Sequence, residues 1–193
     1  MEPHLTLAEI ATLLAEDRFR GFVKHLAETC SACGQVYREA EALIKRFRHW
    51  SAEVAILEGR EADALFEKLM GRGQEFATRS WMAEHDASLQ TWGVAWVALE
   101  HARRSLGEEG GAAQARDLAL LAVQIAETLG PVYHPESVAD LKALTYATAA
   151  AAERALGDLD QRLKWLGPAA TALAEGTGDA EVKREVAELL GML

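Results

Sequence analysis

The segment His25-Leu26-Ala27-Glu28-Thr29-Cys30-Ser31-Ala32-Cys33 reads H-x4-C-x2-C, two thiols two residues apart with an imidazole upstream. Zinc asks for about four nitrogen or sulfur donors in a tetrahedron, and thiolate with imidazole is its usual mixture. The spacing suits that chemistry. His25 falls in the last turn of one helix, Cys30 in the turn that follows, and Cys33 at the start of the next helix. There the positive end of the helix dipole favours thiolate, the metal-binding form. A fourth donor must come from elsewhere. His4 is the best placed, because antiparallel packing of the first two helices returns it to this corner; Glu2, Asp17 and His49 are alternatives. The expected site is therefore one structural Zn2+ on His4, His25, Cys30 and Cys33.

Other chemistries fit less well. Cys30 and Cys33 are the only cysteines among 193 residues and sit too close together to staple a fold, which excludes a disulfide framework. A dithiol redox pair uses the same C-x2-C at a helix start, but the thioredoxin-like layout needs strands that this sequence does not offer. Catalytic zinc has no H-E-x-x-H pattern to stand on, and four protein ligands leave no open position. His85-Asp86 has no accompanying Ser or Cys nucleophile pattern, and Gly110-Gly111 lacks the Lys-Ser/Thr of a phosphate loop. No catalytic residue and no organic cofactor is expected.

The elements that must position the donors read as helices throughout. Ala, Leu, Glu and Arg dominate, β-branched residues are sparse, and period-two alternation is not sustained. Thr6-Leu7-Ala8-Glu9 is a capping box opening a first helix that stops near Asp17. A second helix covers about 19–28, and a third starts near Ser31. Val36, Ala40, Leu43, Phe47, Trp50, Val54 and Leu57 follow at spacings of 4, 3, 4, 3, 4, 3, so the third helix is expected to run to Gly59. This seam either packs on its own domain or, as an arm, grips a partner through Val36, Leu43, Phe47, Trp50 and Val54. Shorter helices are expected over 61–70, 74–83, 90–106, 112–129, 136–156, 159–175 and 179–190, separated by glycine-bearing breaks. Trp50, Trp81, Trp92, Trp96 and Trp165 read as core fillers between helices, with a peptide groove as the alternative.

Composition bounds the partners. The formal net charge is −10; residues 1–60 hold 9 acidic and 8 basic side chains, residues 61–193 hold 21 and 12. The back two-thirds repels phosphate backbones and attracts basic protein surfaces, so no direct nucleic-acid binding is expected. No apolar run approaches the roughly 18 residues of a membrane span, and Met1-Glu2-Pro3-His4 lacks the basic and apolar regions of a secretory signal, so a cytoplasmic location is expected.

The segment from His4 to about Arg48 resembles the zinc-binding anti-sigma domain of bacterial regulators. The upstream His4, two short helices, His25-Leu26, and Cys30-x2-Cys33 opening a longer helix match in order. Four residues separate His25 from Cys30, where the family has three. The resemblance implies a clamp that binds a sigma factor and blocks its access to RNA polymerase. From about Gln90 the chain resembles a degenerate tetratricopeptide array, with Gly157-Asp158 at the inter-helix turn and Ala169 at a small-residue position, while Ala149, Ala150 and Glu153 occupy the usual Leu-Gly and Tyr positions. The expected fold is all-α: a small zinc-nucleated helical module in residues 1–60 and an antiparallel helical-repeat body in 61–193. The expected function is sequestration of a sigma factor by a non-enzymatic regulator. A protein-interaction scaffold with a structural zinc module and a thiol-based redox sensor are the alternatives.

Overall fold

The computed structural model describes residues 4–15, 20–46, 52–71, 75–130 and 132–191. Among them 83% are helical and none lies in a strand, so the fold is all-α. The helices are α1 (Leu7–Ala15), α2 (Arg20–Thr29), α3 (Ser31–Arg46), α4 (Ala52–Leu69), α5 (Phe76–His85), α6 (Trp92–Leu106), α7 (Ala112–Thr128), α8 (Pro135–Leu156), α9 (Leu159–Glu175) and α10 (Ala180–Leu190). The chain divides into two compact units, Met1–Glu61 and Ala62–Leu193, with the boundary inside α4.

In the first unit α1, α2 and α3 pack on one another. The capping box forms as its residues dictate: the Thr6 amide donates to Glu9 Oε2 at 2.8 Å, and the Glu9 amide donates to Thr6 Oγ1 at 3.3 Å. Ile10, Leu14, Val23, Tyr37 and Ala40 make the buried core, with Leu5, Val36 and Leu43 half-buried against it. Gly34 lets α2 and α3 approach closely; a Cβ there would lie 2.7 Å from the Ala27 carbonyl oxygen.

The expected long third helix is described as α3 to Arg46 and α4 from Ala52, with 47–51 outside the described residues. Gly59 does not end a helix. It lies buried inside α4, within a stripe of Ala55, Gly59, Ala62, Phe66 and Leu69 that is buried throughout. A glycine costs a helix about 1 kcal/mol relative to alanine, less than a buried apolar stripe returns.

In the second unit the middle helices are joined by short turns and pack in succession, α6 on α7, α7 on α8, α8 on α9, so neighbours run antiparallel. Helix α8 is central, also touching α6 and α10, and 147–152 is buried on every side. The alanines allow close approach on all faces, and the buried Thr148 hydroxyl is satisfied by the Leu144 carbonyl at 2.8 Å. At the Gly157-Asp158 turn Gly157 takes φ +79°, closed to most side chains, and Asp158 Oδ1 accepts from the Gln161 amide at 2.9 Å to start α9.

The connection from α9 to α10 is held from a distance. Asp140 on α8 is buried and accepts from the Thr177 amide at 3.2 Å and the Thr177 hydroxyl at 2.5 Å. Gly176 leaves room for that carboxylate, since a Cβ there would meet Asp140 Oδ1 at 2.0 Å. Asp140→Ala is expected to lower the stability of this unit by about 1–3 kcal/mol in urea unfolding, because Thr177 loses both acceptors. Gly176→Ala should be destabilising in the wild-type background and close to neutral beside Asp140→Ala. Additive losses would show that the carboxylate is not what excludes the methyl group.

Candidate metal centre

Three of the expected donors come together. Nitrogen of His4 and the sulfurs of Cys30 and Cys33 all lie within 4.8 Å of one another. His4 Nδ1 stands 3.4 Å from Cys30 Sγ across 26 residues of chain. Zn–S and Zn–N bonds of the usual lengths put tetrahedral donors about 3.4–3.8 Å apart, so this spacing and donor chemistry fit zinc with little movement.

Each donor is placed by an identifiable local cause. Leu5 packs on the core of the first unit and the capping box fixes the start of α1, which together anchor the exposed His4 just ahead of it. Cys30 occupies the single non-helical position between α2 and α3, and its carbonyl accepts the first α3 bond from Gly34 at 2.8 Å. Cys33 lies in the first turn of α3 and is buried. The Cys33 amide and thiol, followed by the Ala32 amide and His4, hold the Cys30 thiol below the usual thiol range. These are the orphan amides of a helix N-terminus turned onto a sulfur, an arrangement that favours the thiolate a metal needs.

His25 is not one of the three. It is exposed on α2, and its carbonyl accepts from Thr29 Oγ1 at 3.4 Å. A helix advances about 100° per residue, so position 26, not 25, lies one turn before Cys30 on the same face. The extra residue in H-x4-C thus rotates the imidazole away. The alternative fourth donors Glu2, Asp17 and His49 lie outside the described residues.

The expected gripping seam is divided. Val36 and Leu43 are half-buried against the core of their own unit, while Phe47, Trp50 and the side chain of Val54 lie outside the described residues. The tryptophans also part company. Trp92 and Trp96 are buried in α6 as core residues, but Trp81 is 60% exposed. On α5 the buried position is Ala83, two residues and about 200° around the helix from Trp81.

His85-Asp86 is a pair of structural neighbours. Asp86 is held to about 2 by Lys68, whose Nζ lies 2.7 Å away, and then by Ser88. Its Oδ1 accepts from the Ser88 amide at 3.0 Å and caps a 3₁₀ turn, Ala87–Leu89, that carries no sequence signal beyond the Asp itself. His85 Nδ1 turns to the Trp81 carbonyl at 2.9 Å, not to Asp86.

Among the described residues no helix is long and apolar enough to cross a membrane. No family model, no curated protein and no solved structure matches this chain.

Proposed function

We propose that this chain is a zinc-pinned regulatory protein that sequesters a sigma factor, without catalysis of its own. The observation that carries the reading is the convergence of His4, Cys30 and Cys33 at the α2–α3 corner, three of the four positions the anti-sigma resemblance names. A metal there fixes the angle between α2 and α3, giving a unit of about 60 residues a rigid surface. The acidic balance of the second unit complements a basic partner and speeds encounter.

The tagged 193-residue chain incubated with lysate of the source organism is expected to retain a sigma factor, identified by mass spectrometry. Phe47→Asp should abolish that capture while zinc content and far-UV circular dichroism stay unchanged, because a carboxylate at a gripping position is desolvated without a partner. Unfolding by the same substitution would make the seam core. Capture of non-sigma proteins alone, indifferent to Phe47→Asp, would support the scaffold reading instead. That reading has its own supporting observation: Leu159 and Leu163, one turn apart on α9, are 60% and 64% exposed.

A further inference from the structure

We propose that Trp81 and His85 on α5 form a docking platform for an arginine-bearing segment of a partner protein. Trp81 is 60% exposed, and the His85 ring lies stacked on its indole, centroids 4.7 Å apart and planes 12° from parallel. A carbonyl oxygen only accepts, so the 2.9 Å contact with the Trp81 carbonyl places the proton of neutral His85 on Nδ1 and leaves Nε2 as an acceptor. Glu84, with its side chain 63% exposed, brings a carboxylate oxygen to 3.9 Å from the same ring.

The platform is set in advance. Helix α5 is tied to α7 by Ser80 Oγ donating to Gln124 Oε1 at 2.8 Å and Gln124 Nε2 donating to the Ser80 carbonyl at 2.9 Å. The stacked rings restrict each other, so little side-chain freedom remains to be lost on binding. These three groups are electron-rich: an indole face, an imidazole edge with a lone pair, a carboxylate. The lysine of this neighbourhood, Lys68, is turned onto Asp86 and Ser88 at 2.7 and 3.2 Å.

Guanidinium matches that set better than any other protein group. It is planar, stacks on aromatic faces and carries five donors in a fixed fork, whereas an ammonium is a compact, strongly hydrated point charge. Residues 62–193 hold 20 acidic against 12 basic side chains, a net −8 that draws a basic segment toward the platform. The site contains none of the metal donors and stands independently of the sigma-factor reading.

The test uses the 193-residue chain with 15N-labelled indoles and two capped peptides of equal charge, one alternating Arg with Gly and one alternating Lys with Gly. The Trp81 Nε1 resonance is expected to shift with the arginine peptide, which should bind several-fold tighter than the lysine peptide. Trp81→Leu should weaken the arginine peptide by about tenfold and erase the preference, with circular dichroism unchanged; Glu84→Gln should weaken it less. Binding with the Trp81 resonance unmoved, or an equal affinity for Trp81→Leu, would overturn the proposal. Self-association of the wild type that Trp81→Leu abolishes would also overturn it, giving the platform to a second copy.

Discussion

Cys33→Ser should strip the metal from the protein and loosen the first unit while leaving the second folded. Elemental analysis of protein purified without added metal is expected to give close to one zinc per chain for the wild type and less than about a tenth of that for the variant. A serine hydroxyl does not ionise at neutral pH and is a poor zinc ligand, and Cys33 is the buried donor of the three, where water does not readily take its place. The energetic consequence follows from the size of the unit. The unit spans Met1–Glu61, a size at which burial removes only about 60% of the surface of the unfolded chain and stability is marginal without a staple. In such units the free energy of metal binding is largely folding free energy, apparent values being of order 10 kcal/mol in small zinc domains. Hydrogen exchange should therefore show α1–α3 amides losing protection while those of α6–α8 keep theirs. Full zinc content in Cys33→Ser, or wild-type protein that is metal-free with reactive cysteines and an intact first unit, would remove the site.

Gly34→Ala is the second large effect. The added Cβ would sit 2.7 Å from the Ala27 carbonyl oxygen, a backbone atom of the facing helix that cannot swing aside. Helix α3 must then move off α2, and it carries Cys33 one residue before the substitution, with Cys30 just ahead of its first turn. Overpacking of this kind costs about 1–3 kcal/mol. Displacement of the donors should weaken zinc binding by about tenfold or more in competition with a chromophoric chelator. Gly21→Ala is the control: it lies on α2 with nothing within 4 Å of the added atom, and it should be neutral or slightly stabilising. Equal zinc affinity for Gly34→Ala and wild type would show that the α2–α3 approach does not set the donor geometry.

Much of the architecture was legible before any coordinates, for a local reason. Capping and helix breaking are decided by residues a few positions apart, so the Thr6–Glu9 box, the Gly157-Asp158 turn and the limits of α9 (Leu159–Glu175) could be read directly. Gly59 shows where locality stops. Glycine is a breaker by propensity, but the 4-3 spacing of Ala55, Gly59, Ala62, Phe66 and Leu69 continues through it, and burial along that stripe outweighs one unfavourable residue. The apolar period along α4, not the single glycine, sets where the helix ends.

What the tertiary structure decided are the relations between residues far apart in the chain. Residue types alone nominated His4, His25, Cys30 and Cys33. Only packing could bring His4 Nδ1 to 3.4 Å from Cys30 across 26 positions, and only helix rotation could leave the nearer His25 exposed. Trp81 carries the same side chain as Trp92, yet one is 60% exposed and the other buried, because α5 and α6 turn different faces to their neighbours. The carboxylate of Asp140 waiting beside Gly176, and the Ala27 carbonyl beside Gly34, leave no mark in sequence beyond two glycines. Chain-local energies determine which segments become helices and where they end; which faces meet, and so which polar groups converge, is settled by contacts whose cost and gain appear only once the helices have packed.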